Sequence, residues 1–277
     1  MNATTPAPVL VDTEPVSDGA GSVLHIRLNR PERLNAVDLD LLSAVGDALD
    51  LASGPSGPSG PSDTAGSGGS GGGSPVRAVV LSGEGRALSA GADLVGVLQG
   101  GQEPAAIMAA ASRVILGVVD CPVPVVCALT GKSAGFGVSL GLAADVTVMA
   151  DDASLVFSFL DVGLSADGGI SQLLPEVVGR QVASRILLGG EVVDARAASD
   201  HGLVAETAPA AEVLDRARRT AVAFAGRPAA AVAGLKRTLV APVRERLRAA
   251  LELEAEIQEP LLAGPDLAAA ARRFAAR

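Results

Sequence analysis

The spacing of apolar and polar positions along the chain predicts alternating strands and helices. Between residues 23 and 29, Leu24, Ile26 and Leu28 fall on one face of a strand, and a helix is predicted from Asp38 to about Ala52. The same patterns predict strands at residues 77–83, 124–129 and 145–150, and helices at residues 104–119 and 135–144. Strands that alternate with helices form mainly parallel sheets with right-handed crossovers, so an α/β fold is predicted.

After Gly169 the periodicity becomes helical, which predicts an all-helical C-terminal layer. Helices are expected at residues 170–178, 180–188, 195–201, 211–225, 229–240 and 243–257. The predicted organisation is a flexible N-terminal tail (residues 1–20), an α/β core (residues 21–205) and a C-terminal helical region (residues 206–277). Residues 53–75 consist almost entirely of Gly, Ser and Pro and are interpreted as an insertion within the core.

Composition and charge narrow the classes of partner. The 277 residues carry a formal net charge of −9 with no basic run, which argues against nucleic acid as a partner. The chain has no Trp and no Tyr, so a ligand pocket must be lined by aliphatic side chains, Phe and backbone. Apolar stretches are too short for a membrane span, the N-terminus lacks a signal peptide, and the two cysteines lack a CxxC spacing. A cytoplasmic protein without a membrane partner is therefore expected.

Two glycine-rich turns are candidates for binding an anion. In residues 89–94 and again in residues 131–137, a predicted strand gives way to Gly, Ala and Ser. Small residues let a ligand approach backbone N–H groups, and a helix N-terminus favours negative charge. Two N–H groups that face one point would form an oxyanion hole. A single turn of this kind more often reflects tight packing than anion binding, so the prediction depends on the two turns together.

Four segments in order along the chain resemble the crotonase superfamily, the enoyl-CoA hydratases and isomerases. They are LNRPERLNA (residues 28–36), GRALSAGAD (residues 85–93), residues 124–145 and GLSADGG (residues 163–169). The likeness covers about residues 23–270 apart from the insertion. It implies a crotonase-like (ClpP/crotonase) ββα-superhelix core and an acyl-CoA thioester as substrate. It also implies a homotrimer or a dimer of trimers, with residues 206–277 as the trimerisation region. No metal and no cofactor are expected, because coenzyme A is part of the substrate.

The resemblance also assigns roles to individual residues. The backbone N–H groups of Ala92 and Phe136 would form the oxyanion hole. Gly135 and Phe159 would lie along the acyl group. Asp93 fits a helix cap as well as a ligand contact. Contacts to coenzyme A are implied for Arg33, Leu34, Ala36, Ala90, Asp93 and Leu94, and for Lys236 and Leu262 from a C-terminal helix.

The chain departs from the hydratases of this family at both catalytic glutamates, whose positions match Ser139 and Phe159. An alcohol and a phenyl ring cannot replace carboxylates as general acid and base. Asp167 lies in a loop similar to that of the dienoyl-CoA isomerases, in which an Asp at this position is catalytic. Asp167 is therefore predicted to move a proton in an isomerisation, although it could instead cap the helix that begins near Gly169.

Two other functions stay open at this point. A non-catalytic acyl-CoA-binding protein would keep the pocket without the glutamates. A serine hydrolase would use Ser139 with His25 or His201, the two histidines of the chain. Both histidines are interpreted as structural, so the hydrolase ranks last.

Overall fold

The computed structural model describes residues 6–17, 21–53, 74–99 and 103–275. Residues 1–5 and 18–20 of the predicted tail and residues 54–73 of the Gly/Ser/Pro-rich insertion lie outside these ranges. Within the described ranges, no helix is long and apolar enough to cross a membrane.

The strands form two sheets, as their pairing shows. In chain order the strands are β1 (Val9–Pro15), β2 (Ser22–Leu28), β3 (Val76–Gly83), β4 (Val125–Leu129), β5 (Lys132–Ala134), β6 (Val146–Ala150), β7 (Ser154–Val156), β8 (Val192–Asp194) and β9 (Glu206–Ala208). The larger sheet has the order β1-β2-β3-β4-β6-β9, and the smaller one β5-β7-β8. From β2 to β9 all neighbours in the larger sheet are parallel, which confirms the predicted mainly parallel sheet.

The helices pack around this sheet and extend beyond it. In chain order they are α1 (Leu39–Ala52), α2 (Leu94–Gln99), α3 (Pro104–Val119), α4 (Phe136–Ala143), α5 (Ile170–Gly189), α6 (Ala195–Asp200), α7 (Val213–Ala225), α8 (Ala229–Leu262) and α9 (Pro265–Ala275). Asp38 caps α1 by accepting a hydrogen bond from the Leu41 N–H at 2.9 Å. In α5, Gly179 has a φ of 76°, so the helix is kinked where a break between two helices is predicted.

The predicted flexible tail is wrong for residues 9–15, which form β1. This strand pairs antiparallel with β2 and brings two acidic side chains against two basic ones. Arg27 donates to Asp12 at 2.7 Å, and the ring of His25 lies 3.2 Å from Glu14. β1 is an edge strand with one mostly exposed face, so its polar composition obscures the strand pattern.

The C-terminal region also differs from the prediction. It is not all helical, because β8 and β9 interrupt the helices. The two helices predicted at residues 229–240 and 243–257 form one continuous helix, α8, that contains Pro242. A proline within a helix removes one hydrogen bond and bends it. The stripe of buried residues continues on both sides of Pro242, so packing keeps the helix together.

The predicted core boundary at residue 205 falls inside the folded core. β9 pairs in parallel with β6 and so belongs to the main sheet. α7 packs an apolar face against that sheet, and the members of that face recur every four residues. They are Val213, Ala217, Ala221 and Ala225, all fully buried. The core therefore extends to about residue 225, and α8 and α9 form the outer helical layer.

Candidate active site

Two backbone turns touch each other, one in the segment after β3 and the other between β5 and α4. The N–H of Ala134 donates to the Ser89 carbonyl at 3.0 Å, which ties one turn to the other. A Cβ atom at Gly91 would lie 2.7 Å from the Ala134 carbonyl oxygen and 3.6 Å from the Gly135 Cα. Gly91 also has a φ of 83°, so only glycine fits this contact.

Ala92 follows Gly91 and Phe136 follows Gly135, and each presents a backbone N–H that no acceptor among the described residues uses. The neighbours of Ala92 are bound to Val37: the Val37 N–H donates to Gly91, and the Asp93 N–H donates to Val37. In a parallel bridge, this arrangement leaves the N–H of Ala92 on the side of its strand that faces away from Val37. Phe136 is the first residue of α4, so its N–H has no partner within the helix. Within the described residues, neither N–H donates to an acceptor.

A third segment, the bend at Asp167 and Gly168, packs on the beginning of α4. The hydroxyl of Ser139 donates to the main-chain carbonyl of Asp167 at 2.8 Å. A Cβ atom at Gly168 would lie 2.7 Å from the Ser139 Cβ and 3.0 Å from the ring of Phe136. The Asp167 bend and the two turns therefore meet around Phe136.

The two oxygens of the Asp167 carboxyl group have different surroundings. Oδ2 accepts a hydrogen bond from Gln258 Nε2 at 3.1 Å. Oδ1 is shielded from solvent and has no hydrogen-bond partner among the described residues, although the residue as a whole is half-buried. Burial, and then the nearby charge of Glu254, raise the pKa of Asp167 to about 7, against the lowering effect of the Gln258 hydrogen bond. A carboxyl group with a pKa near neutrality suits proton transfer.

Glu254, and not Asp167, caps α5. The residue before the helix is Gly169, which has no side chain to cap it. Glu254 of α8 accepts from the Gly169 N–H at 2.6 Å and from the Ser171 N–H at 3.0 Å. The carboxyl group of Asp167 is thus free of the capping role that the sequence left open.

Glu254 and Gln258 are not among the site residues predicted from the sequence. A signal for them exists: both fall on the stripe of α8 that faces the protein. The other buried members of this stripe over the same part of the helix are apolar, namely Leu247, Leu251 and Leu262. Polar residues at core-facing helical positions indicate a specific hydrogen-bonding partner.

Arg30, Arg33 and Asp93 form a charged network beside the Ala92 turn. Asp93 accepts from Arg30 at 2.9 Å and from Arg33 at 3.0 Å. It also accepts from the Gly96 N–H at 2.9 Å, so it caps the start of α2. Burial would raise the pKa of Asp93, but the Gly96, Arg30 and Arg33 interactions outweigh it and lower the pKa. The network fixes the turn and leaves Arg33 partly exposed.

The other residues expected near coenzyme A lie along the same edge of the molecule. Leu34 has a φ of 52°, an uncommon value for a residue other than glycine, and its carbonyl accepts from the Ala90 N–H at 2.9 Å. The carbonyl of the buried Ala36 accepts from Arg30 Nη1 at 2.6 Å. Leu94 opens α2 and packs against the small apolar cluster that contains Leu262. The structure thus gathers these residues beside the Ala92 turn.

Comparison with known proteins assigns the family. Residues 72–276 match the family model described as Enoyl-CoA hydratase/isomerase. The chain belongs to this family, within the crotonase superfamily. A protein of Rhodobacter capsulatus named "Probable enoyl-CoA hydratase" is 32% identical over 237 residues, which cover 85% of this chain and 84% of that protein. The 1,2-epoxyphenylacetyl-CoA isomerase of Escherichia coli is 27% identical over 241 residues, 85% of each chain.

Solved structures of the enoyl-CoA hydratase/isomerase family share the fold. The crystal structure of an enoyl-CoA hydratase from Mycobacterium avium subsp. paratuberculosis superimposes with a TM-score of 0.80 at 29% identity. The match covers 98% of this chain and 100% of that one. The crotonase-like fold class predicted from the four sequence segments, with its C-terminal helical layer, is confirmed.

Ser139 and Phe159, the two positions expected to correspond to the hydratase glutamates, both lie next to the turns. Ser139 is fully buried on α4, and its hydroxyl is engaged with Asp167 as described above. The ring of Phe159 would lie 3.6 Å from a Cβ atom at Gly135. Neither position supplies a group that titrates, whereas Asp167, whose main-chain carbonyl binds Ser139, carries a carboxyl group.

Lys236, for which a contact with coenzyme A is expected from the sequence, is engaged inside the chain. Lys236 is 7% exposed, and its ammonium group donates to the Val118 and Val123 carbonyls and to Asp145 Oδ2. These three acceptors, at 3.3, 3.0 and 2.5 Å, use all three N–H bonds. Lys236 thus fastens α8 to the ends of α3, β4 and β6, which gives it a structural role.

The catalytic set of a serine hydrolase is not assembled. The Ser139 hydroxyl donates to a carbonyl, and neither histidine is bonded to it. His25 lies on β2 beside Glu14, and His201 follows the end of α6. Among the described residues, no group of three His, Cys, Asp or Glu side chains could hold a metal ion.

Proposed function

We propose that the protein is an acyl-CoA isomerase in which Asp167 moves a proton along the acyl chain. The observation that carries the proposal is the Oδ1 atom of Asp167: it is buried, has no hydrogen-bond partner in the part of the chain that the structure describes, and belongs to a carboxyl group with a pKa of about 7. Position and protonation therefore both suit a group that takes up and returns a proton. Family membership supports an acyl-CoA thioester as the substrate.

The proposed reaction follows from these groups. The thioester oxygen accepts hydrogen bonds from the N–H groups of Ala92 and Phe136. Asp167, as the carboxylate, removes a proton from the carbon α to the thioester, and the resulting negative charge spreads to the thioester oxygen. The same carboxyl group then returns the proton at the γ carbon, which shifts the double bond. Main-chain donors suit this step because they are already oriented when the charge develops.

We further propose that the Ala92 turn and its network hold coenzyme A. Arg33 is partly exposed at this edge and is the cation best placed for a phosphate, while Leu34, Ala36, Ala90 and Leu94 contribute main-chain and apolar surface. Gly135 and Phe159 would lie along the acyl group. We propose no cofactor besides the coenzyme A of the substrate. A homotrimer or a dimer of trimers is supported by an exposed apolar face on α8, formed by Leu235, Leu239, Leu253 and Ile257. A cytoplasmic location stays a prediction.

The proposal is tested by incubating the protein with 3-enoyl-, 2-enoyl- and dienoyl-CoA in D₂O, followed by mass analysis. Wild type should incorporate deuterium and interconvert the double-bond isomers. Asp167→Asn should slow both processes by about 10²- to 10⁴-fold. The matched control is Asp161→Asn, which alters an exposed Asp in the same loop and should leave the rates unchanged.

Other results would favour the remaining functions. A non-catalytic binding protein would retain acyl-CoA in calorimetry but would show no deuterium uptake with any substrate. Addition of water to 2-enoyl-CoA, unaffected by Asp167→Asn, would indicate a hydratase with a different acid and base.

A further inference from the structure

Two buried polar side chains of α8 hold the segment that carries Asp167. Gln258 accepts from the Ser165 N–H at 2.8 Å and donates to the Ser165 carbonyl and to Asp167 Oδ2. Glu254, one helical turn earlier, holds the first residues of α5 immediately after Asp167. We propose that Glu254 and Gln258 are positioning residues: they fix one carboxyl oxygen of Asp167 and leave the other to face the acyl group. This inference rests on the proposed role of Asp167.

The burial of this pair argues for a specific task. Glu254 is 5% exposed and Gln258 is fully buried, in the middle of an otherwise apolar stripe. Burying such groups is unfavourable unless their hydrogen bonds are made. All hydrogen bonds of the two side chains go to residues 165–171. A leucine at either position would pack against α3 and α5 equally well but would leave this segment without its partners.

Glu254 is the member of this pair that brings a charge close to Asp167. Both oxygens of Glu254 accept backbone N–H bonds at the beginning of α5, where the helix dipole also favours a negative charge. Burial opposes this and raises the pKa of Glu254. The other elements that reach this bend contribute neutral groups: Ser139 and Phe136 from α4, and Ile115 from α3. Among the described residues, Glu254 therefore supplies the charge that acts on Asp167.

The two residues act on Asp167 in opposite directions, which makes the proposal testable. Glu254 raises the pKa of Asp167, and the Gln258 hydrogen bond lowers it. Glu254→Gln should therefore bring the pKa of Asp167 below about 7, and Gln258→Met should bring it above about 7. If the substitutions only made residues 165–171 less ordered, water would reach Asp167 and its pKa would fall in both variants.

The experiment is a potentiometric titration of the full chain, in which each protein is compared with the same protein carrying Asp167→Asn. The difference curve reports the protons bound by Asp167 together with any change in those bound by Glu254, which interacts with it; in Glu254→Gln it reports Asp167 without that contribution. The matched control is Glu256→Gln, which removes the same charge from an exposed position of α8. Opposite shifts in Glu254→Gln and Gln258→Met, with none in Glu256→Gln, support the proposal. Shifts in one direction, or no shifts, overturn it; if Glu254→Gln fails to fold, Gln258→Met alone decides.

A parallel measurement separates this inference from the proposed function. The pH dependence of deuterium uptake should have its midpoint moved down by Glu254→Gln and up by Gln258→Met. If the titration midpoints move as expected but wild type takes up no deuterium, the isomerase proposal fails and the positioning of Asp167 stands. If deuterium uptake depends on Asp167 but the midpoint of its pH dependence is the same in wild type, Glu254→Gln and Gln258→Met, the positioning inference fails and the isomerase proposal stands.

Discussion

Gly137→Ala should separate the two turns that present the N–H groups of Ala92 and Phe136. Gly137 has an ordinary helical conformation within α4, so its backbone accepts alanine. The new Cβ atom would lie 2.5 Å from the Ser89 carbonyl oxygen and 2.9 Å from the Ser89 Cβ, whereas ordinary contact begins at 3.4 Å. The segments must therefore move apart by about 0.9 Å, the difference between 3.4 and 2.5 Å.

The magnitude of the effect follows from this displacement. A shift of about 1 Å in a reacting group can cost about 10²-fold in rate, and losing one oxyanion donor costs about 2.7–4 kcal/mol. We expect deuterium uptake to fall by about 10²-fold or more. Overpacking should reduce the free energy of unfolding by about 1–3 kcal/mol, which leaves the variant folded in circular dichroism.

Gly141→Ala in the same helix is the matched control. Its Cβ atom would lie 3.1 Å from Leu129 Cδ1, the end of a flexible side chain, so the turns need not move. Both alanines improve the helix propensity of α4 equally. We expect Gly141→Ala to retain nearly full activity. Gly137→Ala with a rate within about threefold of wild type would refute the placement of the N–H groups at the reacting oxygen.

Three further predictions concern stability. Asp167→Asn should make the protein more stable than wild type at pH 8 by up to about 4 kcal/mol. The reason is that a folded-state pKa of about 7 for Asp167 destabilises the wild-type protein as the pH rises from about 4 to 7. An equal urea midpoint for both proteins at pH 8 would contradict this prediction. Lys236→Met should lower the free energy of unfolding by about 3 kcal/mol. It should leave the affinity for acyl-CoA unchanged in calorimetry, because the hydrogen bonds of Lys236 are made inside the chain. A weaker affinity with normal stability would instead support a contact between Lys236 and coenzyme A. Because the pKa of Asp93 is lowered on folding, its stabilising effect should be present above about pH 4 and lost on further acidification. Asp93→Asn should therefore be less stable than wild type at pH 7, and the difference should shrink as the pH falls below about 4. A pH-independent difference would argue against the ion pairs with Arg30 and Arg33.

Much of the fold follows from local sequence signals. The start of α1 is set by Asp38 as a helix cap, α3 begins at Pro104, and Gly179 marks the kink of α5. Each of these is a short-range effect of one residue on the backbone, which explains why sequence alone locates it. The parallel order of the central strands follows similarly from their alternation with helices.

Other features depend on contacts between distant residues, which local patterns do not contain. β1 is stabilised by pairing with β2, although its own composition resembles that of a loop. Lys236 resembles a solvated cation until its partner Asp145, 91 residues away, is placed beside it. Glu254 and Gln258 acquire their significance only because α8 crosses the bend at Asp167, more than 80 residues earlier in the chain.

The most direct test of the account is a crystal structure with a bound acyl-CoA thioester. The thioester oxygen should lie about 2.7–3.1 Å from the backbone nitrogens of both Ala92 and Phe136. Asp167 Oδ1 should face the carbon atoms next to the thioester. A thioester oxygen bound elsewhere, or in contact with solvent while both N–H groups stay unoccupied, would contradict the account.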